Sequence, residues 1–547
     1  MNRHPARRIL RRVALLCFCT GTTLAYFSAA TTVNAAALPA SAKRAGNPLT
    51  KLEVAGFLAA GESSTYLASL LNARGTDFTP SADELDKLHS AGATDALLNA
   101  LRNARREKSS AQTNPDSESV IFGRLAQCAA LGHQNSWYAA EKACRGALDL
   151  DPHNPLLLTD VGVALQRQAR HDEALAVFAT SLDVDNNLAI THACASSTLL
   201  AKGNVDAAAS EAGQAATLEP SLVPAHLALA QAMAHRGDLD ESVTELREAI
   251  QLEPESPGAH VQLGGVLMER GDLGSAIAEF RQGVHFDPAN SRTHLSLGIA
   301  LRSHDELPAA VGEFREAVRL APNDPAMHRS FAAALASQRE FELAIAEYRE
   351  AIRLQPESGD LHNELGNLLR AKGDLDRAEE EFREAVKRNS NDTLAHYNLG
   401  ITLLDKGDNN GAIAEFRQAL LMNSNYALAH YNMGVALVKL GDPDSGIAEI
   451  HEALRLRPDD VRLHNNLGSI LLQKKNDVDA AISEFRAALR LNSSYALAHA
   501  NLGVALERKG DLEGAMAEYR AASQLDPNNS NYTAYVAHIG AKSAMQR

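Results

Sequence analysis

Histidine is the residue type whose spacing in this chain first points to chemistry. Ten of the 20 histidines recur every 34 residues, with a last step of 35. This histidine row comprises His192, His226, His260, His294, His328, His362, His396, His430, His464 and His499. Neutral imidazole is a common metal ligand, so the row could hold metal ligands. A constant interval of this length also indicates a repeat array, with each histidine at the same place in its unit.

Metal binding by the histidine row conflicts with the geometry that such an array would have. Packed helix axes lie about 8 to 10 Å apart, whereas zinc ligands must each come within about 2.1 Å of the ion. His192 and Cys194 are two residues apart and point to nearly opposite sides of their helix. We therefore expect no metal site and no other cofactor. Each ring is expected to be buried while its polar edge finds a partner, although duplication alone could have copied the residue.

Other columns of the unit are as regular as the histidine, which is taken here as position 4. Position 8 is small, at Gly264, Gly298, Ala332, Gly366, Gly400, Gly434, Gly468 and Gly503. Position 20 is small as well, at Ala276, Ala310, Ala344, Ala378, Ala412, Gly446, Ala481 and Ala515. Position 24 is mostly aromatic, position 27 is almost always Ala, and Pro often stands at position 32. Apolar residues at 3.6-residue spacing predict two amphipathic helices per unit, and small residues let their axes approach closely.

The turns between the two helices carry their own signals. Gly-Asp pairs at Gly237-Asp238, Gly271-Asp272, Gly373-Asp374 and Gly510-Asp511 predict a helix stop followed by an N-cap. The unit from Val461 to Tyr495 has one extra residue in its turn, within "QKKNDVDA". Because one helical pair cannot bury its own apolar face, the units must stack on one another.

These columns resemble the tetratricopeptide repeat, which has Leu-Gly at positions 7 and 8, Ala at 20 and 27, an aromatic residue at 24 and Pro at 32. The resemblance covers twelve units between Ile121 and Asn529, numbered 1 to 12 below. It implies an all-α fold: a right-handed, elongated α-solenoid of about twelve stacked helix-turn-helix repeats. Residues 530–547 are expected to form a C-terminal capping helix.

The N-terminal residues predict three further segments. Five arginines precede an apolar run, and Val33-Asn34-Ala35 offers a small-residue cleavage site, so residues 1–35 resemble a secretory signal peptide. Residues 49–104 form a short helical module, in which Ser81 and Glu84 are spaced for a capping box. Residues 105–120 are predicted to be a flexible linker. The chain is expected to be periplasmic or secreted; the alternative is an inner-membrane anchor formed by an uncleaved signal.

Charge and cysteine content narrow the classes of partner and chemistry. Acidic residues outnumber basic ones, 68 to 53, which disfavours nucleic acid and anionic membranes. The chain has no CxxC and no CxxCH motif. Cys128 and Cys144, at positions 8 and 24 of repeat 1, could form a disulfide in an oxidising compartment or be two small buried side chains.

We find no enzyme in the sequence: nucleophilic triads, phosphate-binding glycine loops and paired carboxylates are missing. The family resemblance implies instead that first-helix positions 2, 5, 6, 9 and 12 line a concave groove that contacts peptides. The peptide-binding candidates are Asn398, Asn432, Asn466, Asn501, Tyr397, Tyr431, Asn465, Leu394 and Leu428. An amide offers donors and an acceptor to an extended backbone without reading its sequence. The favoured function is a non-enzymatic scaffold that binds extended polypeptide. The alternative is a targeting subunit that presents substrates to a separate envelope enzyme or assembly machine, and co-purification of such an enzyme would support it.

Overall fold

The computed structural model describes residues 48–60, 64–106 and 115–546, in two compact units that divide after Pro322. The predicted signal peptide and residues 107–114 of the predicted linker lie outside these residues. The described chain forms helices and turns with two isolated backbone bridges and no strand, which confirms the predicted all-α fold of stacked helical repeats. None of the described helices is long and apolar enough to cross a membrane.

The first unit contains the N-terminal module and repeats 1 to 6. The module has four short helices, α1 (Lys51–Ala60), α2 (Ser64–Arg74), α3 (Ala82–Ser90) and α4 (Asp95–Asn103). The repeats contribute α5 (Pro115–His133), α6 (Trp137–Leu148), α7 (Pro155–Arg167), α8 (His171–Val184), α9 (Ala189–Ala201), α10 (Val205–Leu218), α11 (Val223–Arg236), α12 (Leu239–Leu252), α13 (Pro257–Arg270), α14 (Leu273–Phe286), α15 (Ser291–Ser303) and α16 (Leu307–Leu320).

The second unit contains repeats 7 to 12 and the capping helix. Its helices are α17 (Pro325–Ser337), α18 (Phe341–Leu354), α19 (Gly359–Lys372), α20 (Leu375–Arg388), α21 (Thr393–Lys406), α22 (Asn409–Met422), α23 (Ala427–Lys439), α24 (Pro443–Leu456), α25 (Val461–Ile470), α26 (Val478–Leu491), α27 (Ala496–Lys509), α28 (Leu512–Leu525) and α29 (Ser530–Gln546). Within each unit, each repeat helix packs on the repeat helices next to it in the chain, as stacked repeats require.

The core of a repeat lies between its two helices, where positions 8 and 24 meet. A Cβ added at Gly264 would come within 2.8 Å of the Phe280 ring, and one at Gly366 within 2.8 Å of the Phe382 ring. Phe280 and Phe382 are almost completely buried. The glycine column therefore exists because the aromatic ring of the second helix lies directly on the first helix.

The turns follow the predicted chemistry with one exception. Gly271 adopts the left-handed conformation, with φ of 92°, and the Asp272 side chain then accepts a hydrogen bond from the Ser275 amide. Asp374 and Asp511 cap their helices in the same way. Asp238 does not, because its carboxylate accepts from the Arg236 guanidinium instead.

Three further sequence predictions can be compared with the structure, in repeat 11, in the module and in repeat 1. The extra residue of repeat 11 is accommodated by a π-helical turn at Leu471–Lys475 that follows α25. In the module, the capping box of α3 forms as predicted between Ser81 and Glu84. The first array helix, α5, begins at Pro115, within the segment that the sequence predicts as linker.

The structure joins Cys128 and Cys144 in a disulfide, with their Cα atoms 5.5 Å apart. In repeat 1 the disulfide stands at positions 8 and 24, where later repeats place glycine and an aromatic ring. Both cysteines are buried among apolar side chains, in a cluster that includes Val161 and Phe178 of repeat 2. The bond therefore joins the two helices of repeat 1 at the centre of their contact.

Candidate functional site

The histidine row forms a repeated hydrogen-bond network between helices. In each of the ten repeats the histidine Nδ1 lies 2.5 to 2.7 Å from a glutamate Oε2 on the second helix of its own repeat. The partners are Glu211, Glu245, Glu279, Glu313, Glu347, Glu381, Glu415, Glu449, Glu484 and Glu518. Each row histidine thus connects the two helices of one repeat.

The other ring nitrogen contacts the preceding repeat. Nε2 of His260 lies 2.9 Å from the carbonyl oxygen of Pro254, and the same contact, 2.9 to 3.2 Å long, recurs at seven other row histidines. His362 differs: its buried Nε2 has no partner among the described residues, and the equivalent carbonyl, that of Pro356, accepts from Arg388. The row therefore holds the end of one repeat against the start of the next.

For His226, His260 and His294 the two hydrogen-bond partners also affect the pKa of the ring. A backbone carbonyl can only accept a hydrogen bond, and an ionised carboxylate can only accept as well. Both bonds form with an ionised glutamate only when both ring nitrogens carry a proton, so the arrangement around His226, His260 and His294 favours the imidazolium form. The bond to Glu313, opposed by burial, raises the pKa of His294. For His226 and His260, burial lowers the pKa, but the bonds to glutamate and carbonyl together outweigh burial and raise it.

Sequence reasoning expected a partner for each buried ring but did not identify the glutamate. The signal was available, because an acidic residue stands 19 residues after each row histidine and 20 residues after His464 in the longer repeat 11. Within the described part of the chain, no cluster of histidine, cysteine and carboxylate side chains could hold a metal ion. The described contacts of the row histidines are hydrogen bonds to a glutamate of the same repeat and, at eight of them, to a carbonyl of the preceding repeat.

The asparagines predicted to bind peptide lie in a line across the first helices of repeats 9 to 12. Each donates its side-chain amide to the preceding first helix. Asn398 donates to the Asn363 side chain at 2.9 Å, Asn432 to the Tyr397 hydroxyl at 3.1 Å, Asn466 to the Tyr431 hydroxyl at 2.6 Å and Asn501 to the Asn465 side chain at 2.9 Å. Side chains of neighbouring first helices thus meet at hydrogen-bond distance along this asparagine row. We call the surface that contains the row the inner face.

The predicted aromatic and leucine residues occupy the same inner face to different depths. Tyr397 and Tyr431 are half-buried, and Tyr397 packs on the rings of Phe416 and Tyr426. Leu428 is half-buried, whereas 55% of Leu394 is exposed. Leu497, at the matching position of repeat 12, is 42% exposed. The structure therefore brings most of the predicted residues onto one partly open surface.

Asn465 is the candidate that the structure removes from this surface. Only 1% of it is exposed. Its side chain donates to Asn466 and accepts from Asn501, so it supports the asparagine row from below. Sequence position alone could not show this, because Asn465 shares position 5 with the more accessible Tyr397 and Tyr431.

Charged groups flank the inner face at repeats 7 to 9 in opposite pairs. The Arg329 guanidinium holds the Glu364 carboxylate through a bidentate contact with bonds of 3.0 Å, and Arg370 lies 3.6 Å from Asp405. Burial, reinforced by Tyr397 and partly opposed by Arg457, raises the pKa of the Tyr426 hydroxyl to about 12, so this phenol is neutral near pH 7. The central part of the face therefore presents mainly neutral amides, phenols and aliphatic side chains, and Arg462 at position 2 of repeat 11 is its exposed charged residue.

Comparisons with protein families identify similar proteins. Residues 183–436 match the profile of the cilia and flagella-associated protein 70 C-terminal domain, and residues 403–470 and 471–530 match two tetratricopeptide repeat profiles. A search of curated proteins found no match.

Three of the solved structures that match this chain are YrrB, MamA and yeast Tom70. YrrB, described as a protein with an unusual peptide-binding site, is 25% identical over 34% of this chain and 95% of its own, with a TM-score of 0.30. MamA from Desulfovibrio magneticus RS-1 is 22% identical over 31% of this chain and 96% of its own, with a TM-score of 0.30. Yeast Tom70 is 12% identical over 79% of this chain and 97% of its own, with a TM-score of 0.37.

Proposed function

The chain is a tetratricopeptide repeat protein, and from this premise we propose that it is a non-enzymatic scaffold whose inner face in repeats 9 to 12 binds an extended polypeptide. The observation that carries the proposal is the pairing of exposed leucines with a row of amides. Leu394 and Leu497 are large apolar side chains left open to solvent beside Asn398 and Asn501. Leu428 is half-buried at the same position of repeat 10, and apolar side chains that share one surface with a polar rim are typical of contact sites.

The asparagine row supplies the polar half of this contact. Its side-chain nitrogens donate to neighbouring helices, which fixes the orientation of each amide. The side-chain oxygens of Asn398, Asn432 and Asn501 accept no hydrogen bond from described residues. Each oxygen can therefore accept from a backbone N–H of a bound chain, whatever the sequence of that chain.

The chemistry of the face also defines the partner. Because the centre of the face is partly aliphatic and Arg462 is its exposed charge, the partner should carry apolar side chains and few basic residues. The acidic balance of the chain, with a formal charge of −15, repels nucleic acid phosphates and favours a polypeptide partner. The face lacks a lysine and arginine pattern that would bind a terminal carboxylate, so the partner is expected to bind through an internal segment.

The proposed cellular location is the periplasm or the exterior of the cell. It rests on the resemblance of residues 1–35 to a signal peptide and is supported by the Cys128–Cys144 disulfide, which is compatible with an oxidising compartment. The alternative, an uncleaved signal acting as an anchor, places the same repeats in the same compartment. Determination of the N-terminal residue of the exported chain distinguishes the two.

The binding proposal is tested by selecting random linear peptides on the purified chain and measuring the Kd of those enriched. A Leu394→Glu/Leu497→Glu double variant places two charges on the inner face and should weaken binding tenfold or more, because apolar contacts would be replaced by buried charge. The matched control is Leu421→Glu, since Leu421 is 78% exposed on the second helix of repeat 9, away from this face.

The outcomes are distinct. Peptides rich in apolar residues that bind the control normally and the double variant weakly support the inner face as the site. Equal binding by all three proteins shows that peptides bind elsewhere and contradicts the proposal. A double variant that loses its helical circular-dichroism signal is replaced by Leu394→Ser/Leu497→Ser, with Leu421→Ser as its control.

A further inference from the structure

The N-terminal module covers the first helices of repeats 1 and 2. Helix α1 packs on α5 and α7, and α3 packs on α5. Gly56 allows a close approach, since a Cβ added there would lie 3.6 Å from Leu156 Cβ and 3.7 Å from Asp160 Oδ2. Farther along the module, Arg74 lies 3.4 Å from Glu219 of repeat 3.

The covered residues have equivalents on the open inner face of the second unit. Leu156 and Asp160 stand at positions 2 and 6 of repeat 2, which correspond to Leu394 and Asn398 in repeat 9. Position 2 is half-buried in repeat 2 and largely exposed in repeat 9. In repeats 1 and 2, therefore, the chain's own module occupies the surface that repeats 9 to 12 leave accessible.

Asp160 is an unusual residue to bury in such a contact. It is only 2% exposed, and neither carboxyl oxygen has a hydrogen-bond partner among the described residues. Burial raises its pKa well above 3.8, and no charged group on a neighbouring helix opposes the shift. An ionised carboxylate without a partner is unfavourable in an apolar contact, whereas a protonated carboxyl is tolerated far better.

We propose that the N-terminal module is a reversible cover of the inner face of repeats 1 and 2, held in place while the Asp160 carboxyl is protonated and released when it ionises. Ionisation favours release because water then reaches the carboxylate. Release exposes Leu156 and its neighbours at the positions that are open in repeats 9 to 12. This inference concerns a different part of the chain from the proposed peptide-binding face and does not depend on it.

The effects of other titratable groups at the contact on the pH dependence of docking must be distinguished from the effect of Asp160. The His133 ring packs against Gly92 of the module, and burial lowers its pKa, partly opposed by a hydrogen bond to the Ala91 backbone. A depressed pKa means that the contribution of His133 to docking is lost as the pH falls, opposite in sign to the effect of Asp160. Lys51 pairs with Glu84 and Glu118, and Arg74 pairs with Glu219.

Comparison of the wild type with Asp160→Asn at each pH isolates the aspartate, because all other groups are common to both proteins. Hydrogen exchange measured by mass spectrometry, normalised to the intrinsic rate at each pH, gives the opening equilibrium of α1. The ratio of wild-type to variant opening should rise with pH by up to tenfold per unit, starting above about pH 4 and levelling off at the docked pKa. Asp183→Asn, an exposed aspartate of α8, is the matched control and should match the wild type.

A ratio that does not change between pH 5 and pH 9 overturns the proposal. Exchange that rises equally throughout repeats 1 to 6 also overturns it, because the unit would then be unfolding rather than releasing its module. Asp160→Leu serves as a second variant if Asp160→Asn loses helical structure. The leucine variant should keep α1 protected at pH 9, and loss of that protection would contradict the role of Asp160.

Discussion

At the scale of single residues, the histidine row shows that a side chain able to bind metal can instead form hydrogen bonds that hold helices together. Each ring of the regular pattern joins three segments: its own helix, the second helix of its repeat and the end of the preceding repeat. His260 makes both bonds, to Glu279 and to the Pro254 carbonyl, and also stacks on Phe286. The pKa values of His226, His260 and His294 are raised by such bonds, so the stability of repeats 4 to 6 is linked to pH.

The first prediction concerns this linkage in repeats 4 to 6. His226, His260 and His294 have raised pKa values in the folded chain, so their contribution to stability is complete below about pH 6.5 and is lost as the pH rises through the folded pKa. The triple variant His226→Gln/His260→Gln/His294→Gln should be less stable at pH 6, by about 1 to 3 kcal/mol for each lost charged hydrogen bond. Opening free energies from hydrogen exchange in α11 to α16 provide the measurement.

The pH dependence provides the control for that prediction. Stability of these helices in the wild type should fall between pH 6 and pH 9, and the triple variant should show a smaller fall. His304→Gln changes an exposed histidine of the same unit and should leave the wild-type dependence intact. A triple variant with the full wild-type dependence would show that other groups cause it.

Sequence reasoning gave the position of the histidines and asparagines within the repeat but not their hydrogen-bond partners. The position of the histidine follows from the repeat interval, which any reader of the sequence can measure. Its glutamate lies on another helix, and only the packing of two helices shows that the two side chains meet. For the same reason, the burial of Asn465 and the orientation of Asn466 toward Tyr431 required the structure.

At the scale of helices, the contact between positions 8 and 24 sets the spacing within each repeat. A ring from the second helix lies where a side chain of the first helix would be, so position 8 must be small. Helices, turns and glycine stops followed from residue type alone, because each depends on local chemistry. The docking of the module on α5 and α7 did not, because it depends on surface shape between distant segments.

The second prediction tests this spacing in repeat 5. Gly264→Ala adds a methyl group 2.8 Å from the Phe280 ring and should destabilise the repeat by about 1 to 3 kcal/mol through overpacking. Gly274→Ala is the matched control, since nothing lies within 4 Å of its added Cβ on α14. That control should be neutral or more stable by about 0.5 to 1 kcal/mol, because alanine favours helix over glycine. Equal effects of the two substitutions on the melting temperature would contradict the packing argument.

At the scale of the whole molecule, the repeats differ along the chain although their framework is constant. Repeats 1 and 2 carry a disulfide and the covering module, whereas repeats 9 to 12 carry an open face of leucines, tyrosines and asparagines. In a repeat array each repeat contacts only its neighbours, so a bond within one repeat should stabilise mainly that repeat and the adjacent ones. The position of the disulfide, in the repeat that supports the module, therefore matters more than its presence alone.

The third prediction follows from that position. Replacing Cys128 and Cys144 together by alanine opens a loop of 16 residues, which corresponds to a loss of about 3 kcal/mol where the bond acts. Exchange should increase in α5 and α6, and in α1 because it packs on α5. Exchange in α17 to α28 should not change, since stabilisation passes mainly between adjacent repeats. Cys194→Ser, outside the disulfide, is the control and should leave α5 and α6 protected. Destabilisation of equal size in repeats 1 and 12 would show that the array unfolds as one cooperative body, contrary to the nearest-neighbour argument.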